Sequence, residues 1–257
     1  MERDHAVGLL RQRLCELDTG RLPVVPSVSD PRLVHVVTVL QTATNTSMTP
    51  AGGRPAVLAP AAADALTRDS RLVAALAADH PPLVAGPWDR ARQHWVGTAR
   101  HHDPDRARFD PARAATSGPK PFGLGLHTST ATRQGPSMWR TYLDLYHGSD
   151  LYPLPWSTWE LRPDDGDVSV LHITGAGDWA AFVDRYAPTA GPAMSPDWSA
   201  VSRDVDAVHV TLPAIVAAQG FGLRTARGIT APAFWDVEST LWLRWRFASA
   251  RLLETTR

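Results

Sequence analysis

The chain predicts an α+β fold, in which a helical N-terminal region precedes a β-rich region with short helices interleaved. Three observations carry this. Apolar residues recur at helical spacing up to about residue 80, runs of strand character begin after Lys120, and a closing segment, Phe234 to Phe247, alternates apolar residues with polar ones behind Asp236 and Glu238. Strands so irregularly mixed with short helices fit α+β rather than a doubly wound parallel sheet. The boundary is expected at 1–87 for the helical region and 88–257 for the α+β domain.

Val7, Leu10, Leu14 and Leu17 mark the first helix. Leu33, Val36, Val37 and Leu40 mark the second, with Asp30 as N-cap and Pro31 at the first helical position. Thr42 to Arg54 is rich in Thr, Ser, Asn and Gly and reads as loop. The alanine-rich stretch from Ala61 to Ala78 follows Pro60, breaks near Asp69-Ser70 and stops before Pro81-Pro82, which predicts two short helices. Between Trp88 and Pro121, Gln93 to Arg100 is the one segment with strand character. Beyond it, strands are expected at Phe122–Thr130, Trp159–Arg162, Val168–Thr174, Ala207–Leu212 and Val237–Phe247, and short helices at Asp178–Tyr186, Asp197–Arg203 and Pro213–Gln219. Trp179, Phe182 and Tyr186 share a helical face and read as core.

Composition narrows the function classes. The 257 residues are 44% hydrophobic with ten tryptophans, ample for a packed core. Twenty-six basic residues balance 26 acidic ones, so no field draws the chain to nucleic acid or to an anionic membrane. The single cysteine, Cys15, excludes an internal disulfide framework and a cysteine-based zinc site, and no His-x-x-x-His pair on a helix suggests another metal. The first residues are charged early and never reach a long apolar run, so neither a signal peptide nor a membrane span is expected and the default location is cytoplasmic.

The last segment holds the most chemical information. As one strand it would place Leu241, Leu243, Trp245 and Phe247 on a core face, and Asp236, Glu238, Thr240, Trp242 and Arg244 on a face open to a cleft. By themselves the two acids also fit a salt bridge to Arg244 or Arg246, and neighbours on one strand stand too close for the acid and base of a glycosidase. A second constellation, Gly123-Leu-Gly-Leu-His-Thr-Ser-Thr130, puts a hydroxyl triplet behind glycines that admit close backbone approach.

Together and in this order, Lys120-Pro-Phe-Gly-Leu-Gly-Leu-His-Thr-Ser-Thr130, Ser137-Met-Trp139, Asp204-Val-Asp-Ala-Val-His-Val-Thr211 and Trp235-Asp-Val-Glu-Ser-Thr240 resemble a group of bacterial and phage ADP-ribosyltransferase-like proteins. The resemblance covers roughly residues 120 to 247. The last motif is intact, whereas in the first Leu124 stands for a small residue and His127 for a tryptophan, a gap that Trp139 would fill. The resemblance implies a split antiparallel β-sheet that holds NAD in a bent form, with Thr128, Ser129 and Thr130 beneath the nicotinamide ribose. It implies Glu238 as the catalyst and Asp236 as the group that orients or deprotonates the acceptor. It also calls for an early Arg or His to hold the pyrophosphate or ribose, for which Arg100 and His101 are the candidates. The expected activity is an NAD-dependent glycosyl transfer that releases nicotinamide, with a protein, a small molecule or water as acceptor. The alternative is a catalytically silent module that binds a nucleotide or a protein in the same cleft.

Overall fold

The computed structural model describes residues 2–23, 30–47, 55–85, 88–105, 109, 124–133, 135–147, 149–188, 195–232 and 235–256. Helix α1 (Glu2–Thr19) buries Ala6, Leu10, Leu14 and Leu17 along one stripe. Helix α2 (Pro31–Ser47) begins as the sequence requires, since Asp30 Oδ1 accepts the Arg32 backbone N–H at 2.9 Å. It continues past Thr42, where loop was expected, because Thr42 turns its hydroxyl back onto the Thr38 carbonyl at 3.0 Å instead of opening the backbone. Residues 48–54 of that expected loop lie outside the described residues.

Strand β1 (Val57–Leu58) precedes α3 (Pro60–Arg68) and α4 (Arg71–Asp79), which separate at Asp69-Ser70 as expected. Ser70 Oγ accepts the Val73 N–H and donates to Asp18 on α1 at 2.7 Å, so the cap also ties two helices together. The short helix α5 (Pro81–Val84) follows. Arg13 fastens this helical region to the rest: its buried guanidinium donates to the Val216 carbonyl at 2.9 Å and lies over the Phe221 ring, and burial pulls its pKa down to about 10.

The remaining elements are β2 (Gln93–Gly97), β3 (Leu126–Thr130), α6 (Met138–Leu145), β4 (Trp156–Pro163), β5 (Val170–Ile173), α7 (Ala176–Arg185), α8 (Trp198–Asp204), β6 (Ala207–Val210), α9 (Leu212–Ala218), β7 (Gly222–Thr225), β8 (Gly228–Thr230), β9 (Ser239–Trp242) and β10 (Phe247–Thr256). The molecule is therefore a mixed α+β fold, as expected. Trp179, Phe182 and Tyr186 are buried, in line with their helical spacing. Helix α6 was not expected; Ser137 caps it by accepting the Arg140 N–H at 3.3 Å.

Among the described residues the main sheet runs β10-β4-β2-β3-β9-β6-β5, antiparallel throughout except for the parallel pair β5-β6. Its centre is β3, which changes partner along its length. Leu126, His127 and Thr128 pair with Trp242, Leu241 and Thr240 of β9, whereas Ser129 and Thr130 pair with His94 and Gln93 of β2. Gly125 permits the entry to β3: its φ is +62°, and a Cβ there would stand 1.8 Å from the Trp242 carbonyl oxygen.

The expected single strand from Val237 to Phe247 is two strands, β9 inside the sheet between β3 and β6 and β10 at its edge. The backbone N–H groups of Leu243 and Arg244 donate to the Asp206 carbonyl, which turns the chain off β9, and β10 then adds to β4 at the far edge. The apolar row does not line one surface either. Leu241 and Leu243 join the large core shared by the helices, while Phe247 joins Trp95, Leu126, Leu161 and Trp242 on the other face. Among the described residues no helix is long and apolar enough to cross a membrane.

Candidate functional site

Alternation along β3 sends its side chains two ways. On one face, Thr128 donates to Gln93 Oε1 at 2.6 Å and accepts the Trp242 indole N–H at 2.9 Å, while Gln93 Nε2 donates to Thr130 Oγ1 at 3.1 Å. These bonds satisfy a fully buried polar row and lock β2, β3 and β9 together. On the other face stand His127 and Ser129. Ser129 Oγ accepts the Trp139 N–H from the start of α6 at 3.3 Å and donates to Glu238 Oε2 at 2.9 Å.

Glu238 is the centre of the arrangement. It sits immediately before β9, where the register that pairs Thr128 with Thr240 brings it beside Thr130. Its Oε2 accepts from Ser129 Oγ and the Thr130 backbone N–H, both at 2.9 Å; its Oε1 accepts from Thr130 Oγ1 at 2.8 Å and faces His209 Nε2 at 3.0 Å. A carboxylate offers about four acceptor positions, and here three donors and the His209 Nε2 nitrogen meet them.

The expectation of a polar row facing an open cleft is corrected: Glu238, Thr240 and Trp242 are each 0% exposed. The physical reason is position in the sheet. Strand β9 lies between β3 and β6 with both faces covered, so polar alternation cannot mean solvent there. Nor does Arg244 or Arg246 hold the carboxylate: Arg244 pairs with Asp206, and Arg246 with Asp164 and Asp206.

Asp236 lies ahead of β9 rather than in it and engages its own surroundings instead of sharing a strand face with Glu238. It is half-buried, and its Oδ1 accepts from Gln219 Nε2 at 2.6 Å. Its charge reaches the phenols of Tyr142, Tyr146 and Tyr152, whose pKa values rise chiefly through burial, with the Asp236 carboxylate adding to the rise. Trp139 belongs to this group, stacked on Tyr142 at 5.0 Å and edge-on to Tyr152 at 5.3 Å. His127 meets Trp235 edge-on at 5.8 Å. Arg100 lies beyond the end of β2 and donates to the Asp150 carbonyl at 3.2 Å, and His101 is exposed in the adjoining turn. Lys120 to Gly123 and Phe234, which carry parts of the two motifs, lie outside the described residues.

Three histidines emerge that the sequence reading did not select for the site. His94 on β2 is the register partner of Ser129 and shares its face; burial lowers its pKa, against the opposing pull of Glu160 and Glu254 and with help from Arg251. The alternation of Gln93-His-Trp-Val-Gly97 was the available signal, because it puts His94 opposite Gln93 and Trp95. His209 on β6 is fully buried against Glu238. His172 on β5 stands beside it in register, Nδ1 to Nδ1 at 3.2 Å. No spacing rule reveals that pair, because 37 residues separate its members.

The chemistry open to this cluster follows from who touches whom. A serine nucleophile needs a histidine on its hydroxyl, but Ser129 donates to the carboxylate and His209 meets that carboxylate from its other oxygen. The arrangement suits a held anion rather than acyl transfer. Among the described residues no group of three His, Cys, Asp or Glu side chains is placed to hold a metal ion. Near Asp236 lies an apolar cavity of about 10 Å³ walled by Ile173, Trp179, Val210, Ile215, Gln219 and Trp235. It is smaller than the roughly 300–1,000 Å³ of pockets that enclose drug-sized ligands. Comparison with protein-family models, with curated proteins and with solved structures finds no match to this chain.

Proposed function

We propose that the chain is an NAD-consuming enzyme with an ADP-ribosyltransferase-like core, which cleaves the nicotinamide–ribose bond and passes ADP-ribose to a protein, a small molecule or water. The observation that carries this reading is the contact between Ser129 Oγ and Glu238 Oε2 at 2.9 Å, at the point where β3 leaves β9 for β2. The partner change along β3 supports a split sheet. Cleavage builds positive charge on the ribose, and a carboxylate bonded to a ribose hydroxyl stabilises that charge more than the neutral ground state. Glu238 is the group for this role, Ser129 and Thr130 orient it, and Asp236 prepares the acceptor.

Binding NAD then entails opening the cluster. A ribose hydroxyl reaches Glu238 only by replacing one of its four partners. Ser129 is the donor to move, since its oxygen keeps the Trp139 N–H as a partner when it releases the carboxylate. Trp139, His127 and His94 surround that opening and would flank the nicotinamide and ribose.

The full enclosure of Glu238 favours the second reading, a catalytically silent module that binds a nucleotide or a protein. One experiment separates them. Incubation with NAD should release nicotinamide at a rate abolished by Glu238→Ala. Binding of NAD or ADP-ribose to the wild-type chain without release of nicotinamide would select the silent module.

A further inference from the structure

Glu238 is joined to the surface by a chain of two imidazoles. His209 Nε2 lies 3.0 Å from Glu238 Oε1, and its Nδ1 lies 3.2 Å from Nδ1 of His172. Exposure changes abruptly along the path: Glu238 and His209 are 0% exposed, whereas His172 is exposed on β5. The backbone fixes the alignment, because His172 and His209 are register partners in the parallel pair β5-β6, and His209 and Thr240 are register partners in β6-β9. A buried carboxylate is costly as an isolated ion, so whatever supplies or removes its proton governs its charge.

We propose that His209 is the proton-handling partner of Glu238 and that His172 is the solvent port of this relay. The inference rests on the reading of Glu238 as the catalytic carboxylate for its consequence in activity, but not for its physical test. The proton accounting closes without any further group. In the starting state His172 is an imidazolium, His209 is neutral with its proton on Nε2, and Glu238 is ionised. The Nδ1 proton of His172 passes to Nδ1 of His209, and the Nε2 proton of His209 passes to Oε1 of Glu238. His172 is left neutral with its proton on Nε2, His209 is neutral with its proton on Nδ1, and Glu238 is a neutral acid. Reversal carries one proton from the carboxyl to water and restores the ionised Glu238 that stabilises positive charge on the ribose.

Among the described residues, the charged groups on the elements next to the relay have their own partners. Glu238 enters from the lead into β9. Helix α7 packs on the other face of β5, against Ile173, and its Asp178 is committed to the Thr174 N–H and hydroxyl. Asp206, at the head of β6, is paired with Arg244. Burial lowers the pKa of His172, and the neighbouring His209 lowers it further, so the port loads less readily than an ordinary imidazole.

The test uses the full chain and needs no activity. Nitrogen-15 spectra that report the protonation of each histidine nitrogen should show His172 and His209 titrating as a coupled pair, with two macroscopic steps shared by both rings. His172→Gln should displace the His209 titration by about one pH unit or more, the coupling at which two groups titrate in shared macroscopic steps. His209→Gln keeps an amide N–H for Glu238 but has no second titrating nitrogen, so it should leave the fold intact and uncouple the infrared signal of the Glu238 carboxyl from the His172 titration. Independent single-step titrations of the two rings, or a carboxyl signal that ignores both substitutions, would overturn the relay. Where nicotinamide release is measurable, both variants should also move its pH profile. Coupled titrations in a chain that releases no nicotinamide would sustain the relay and sink the enzymatic reading.

Discussion

Ser129 and Glu238 are 109 residues apart in the chain, yet the Ser129 hydroxyl donates to Glu238 Oε2 across 2.9 Å inside the sheet. Ser129 is also bound by the Trp139 N–H, so one hydroxyl links the catalytic candidate to the helix that carries the aromatic group. Ser129→Ala strands both partners in a buried site. It should lower unfolding stability by about 1–3 kcal/mol, the cost of leaving buried polar groups unmet, and should reduce nicotinamide release. Urea melts and a release assay on the same preparation check the two effects.

Glu238→Gln presents an amide nitrogen where the carboxylate accepts from donors on both oxygens. At least one donor then faces an NH₂ group. The variant should lose nicotinamide release and also lose on the order of 1–3 kcal/mol of stability, measured by the urea midpoint. A variant that melts with the wild type would mean that the carboxyl is already protonated in the folded chain.

Asp236→Asn separates transfer from cleavage. Asp236 bonds to Gln219 rather than to the Ser129–Glu238 cluster, so its removal should leave nicotinamide release to water largely unaltered. Transfer to an acceptor should fall by on the order of a hundredfold or more if Asp236 is the general base. Labelled NAD, followed separately into nicotinamide and into ADP-ribosylated product, measures both.

Stability should fall as the solution becomes acidic, starting near neutrality. Burial holds the pKa values of His94 and His172 below the ordinary histidine value of about 6.5. The unfolded chain therefore binds more protons than the folded one as pH falls through about 6.5, and stability present above that point is lost until the folded values are reached. Asp30 acts in a separate window. Burial alone would raise its pKa, but bonds from Arg32 and His80 outweigh this and hold it at about 2, so its contribution disappears only between about pH 4 and 2. Urea midpoints at about pH 7.5 and 5.5 should differ in the wild type, and His94→Gln should narrow the difference.

Gly125→Ala should destabilise the fold by more than about 1 kcal/mol. The added Cβ meets the Trp242 carbonyl oxygen at 1.8 Å, a backbone atom that cannot swing away, and φ is already in the left-handed region. A thermal melt decides this, and an unaltered midpoint would show that β3 and β9 part more easily than their pairing suggests.

Local signals in the sequence determined the helices other than α5 and α6 and the strands β2 to β6. Asp30-Pro31 fixed the start of α2, and Asp69-Ser70 fixed the break between α3 and α4, because caps and prolines act within one turn of chain. The residue types that meet at the centre, a hydroxyl triplet and a late acid, were also legible. Periodicity could not tell that the run after Val237 divides into β9 and β10, since the Asp206 carbonyl that bends it belongs to a distant segment, just ahead of β6. Nor could it tell that a polar alternation is buried, because alternation reports two faces and only the neighbouring layers decide whether either meets water. The enclosure of Glu238, the register of His94 with Ser129 and the His172–His209 contact come from pairings between distant segments. Tertiary structure decided them because a side chain's environment is set by what packs against it, and a single strand carries no record of its partners.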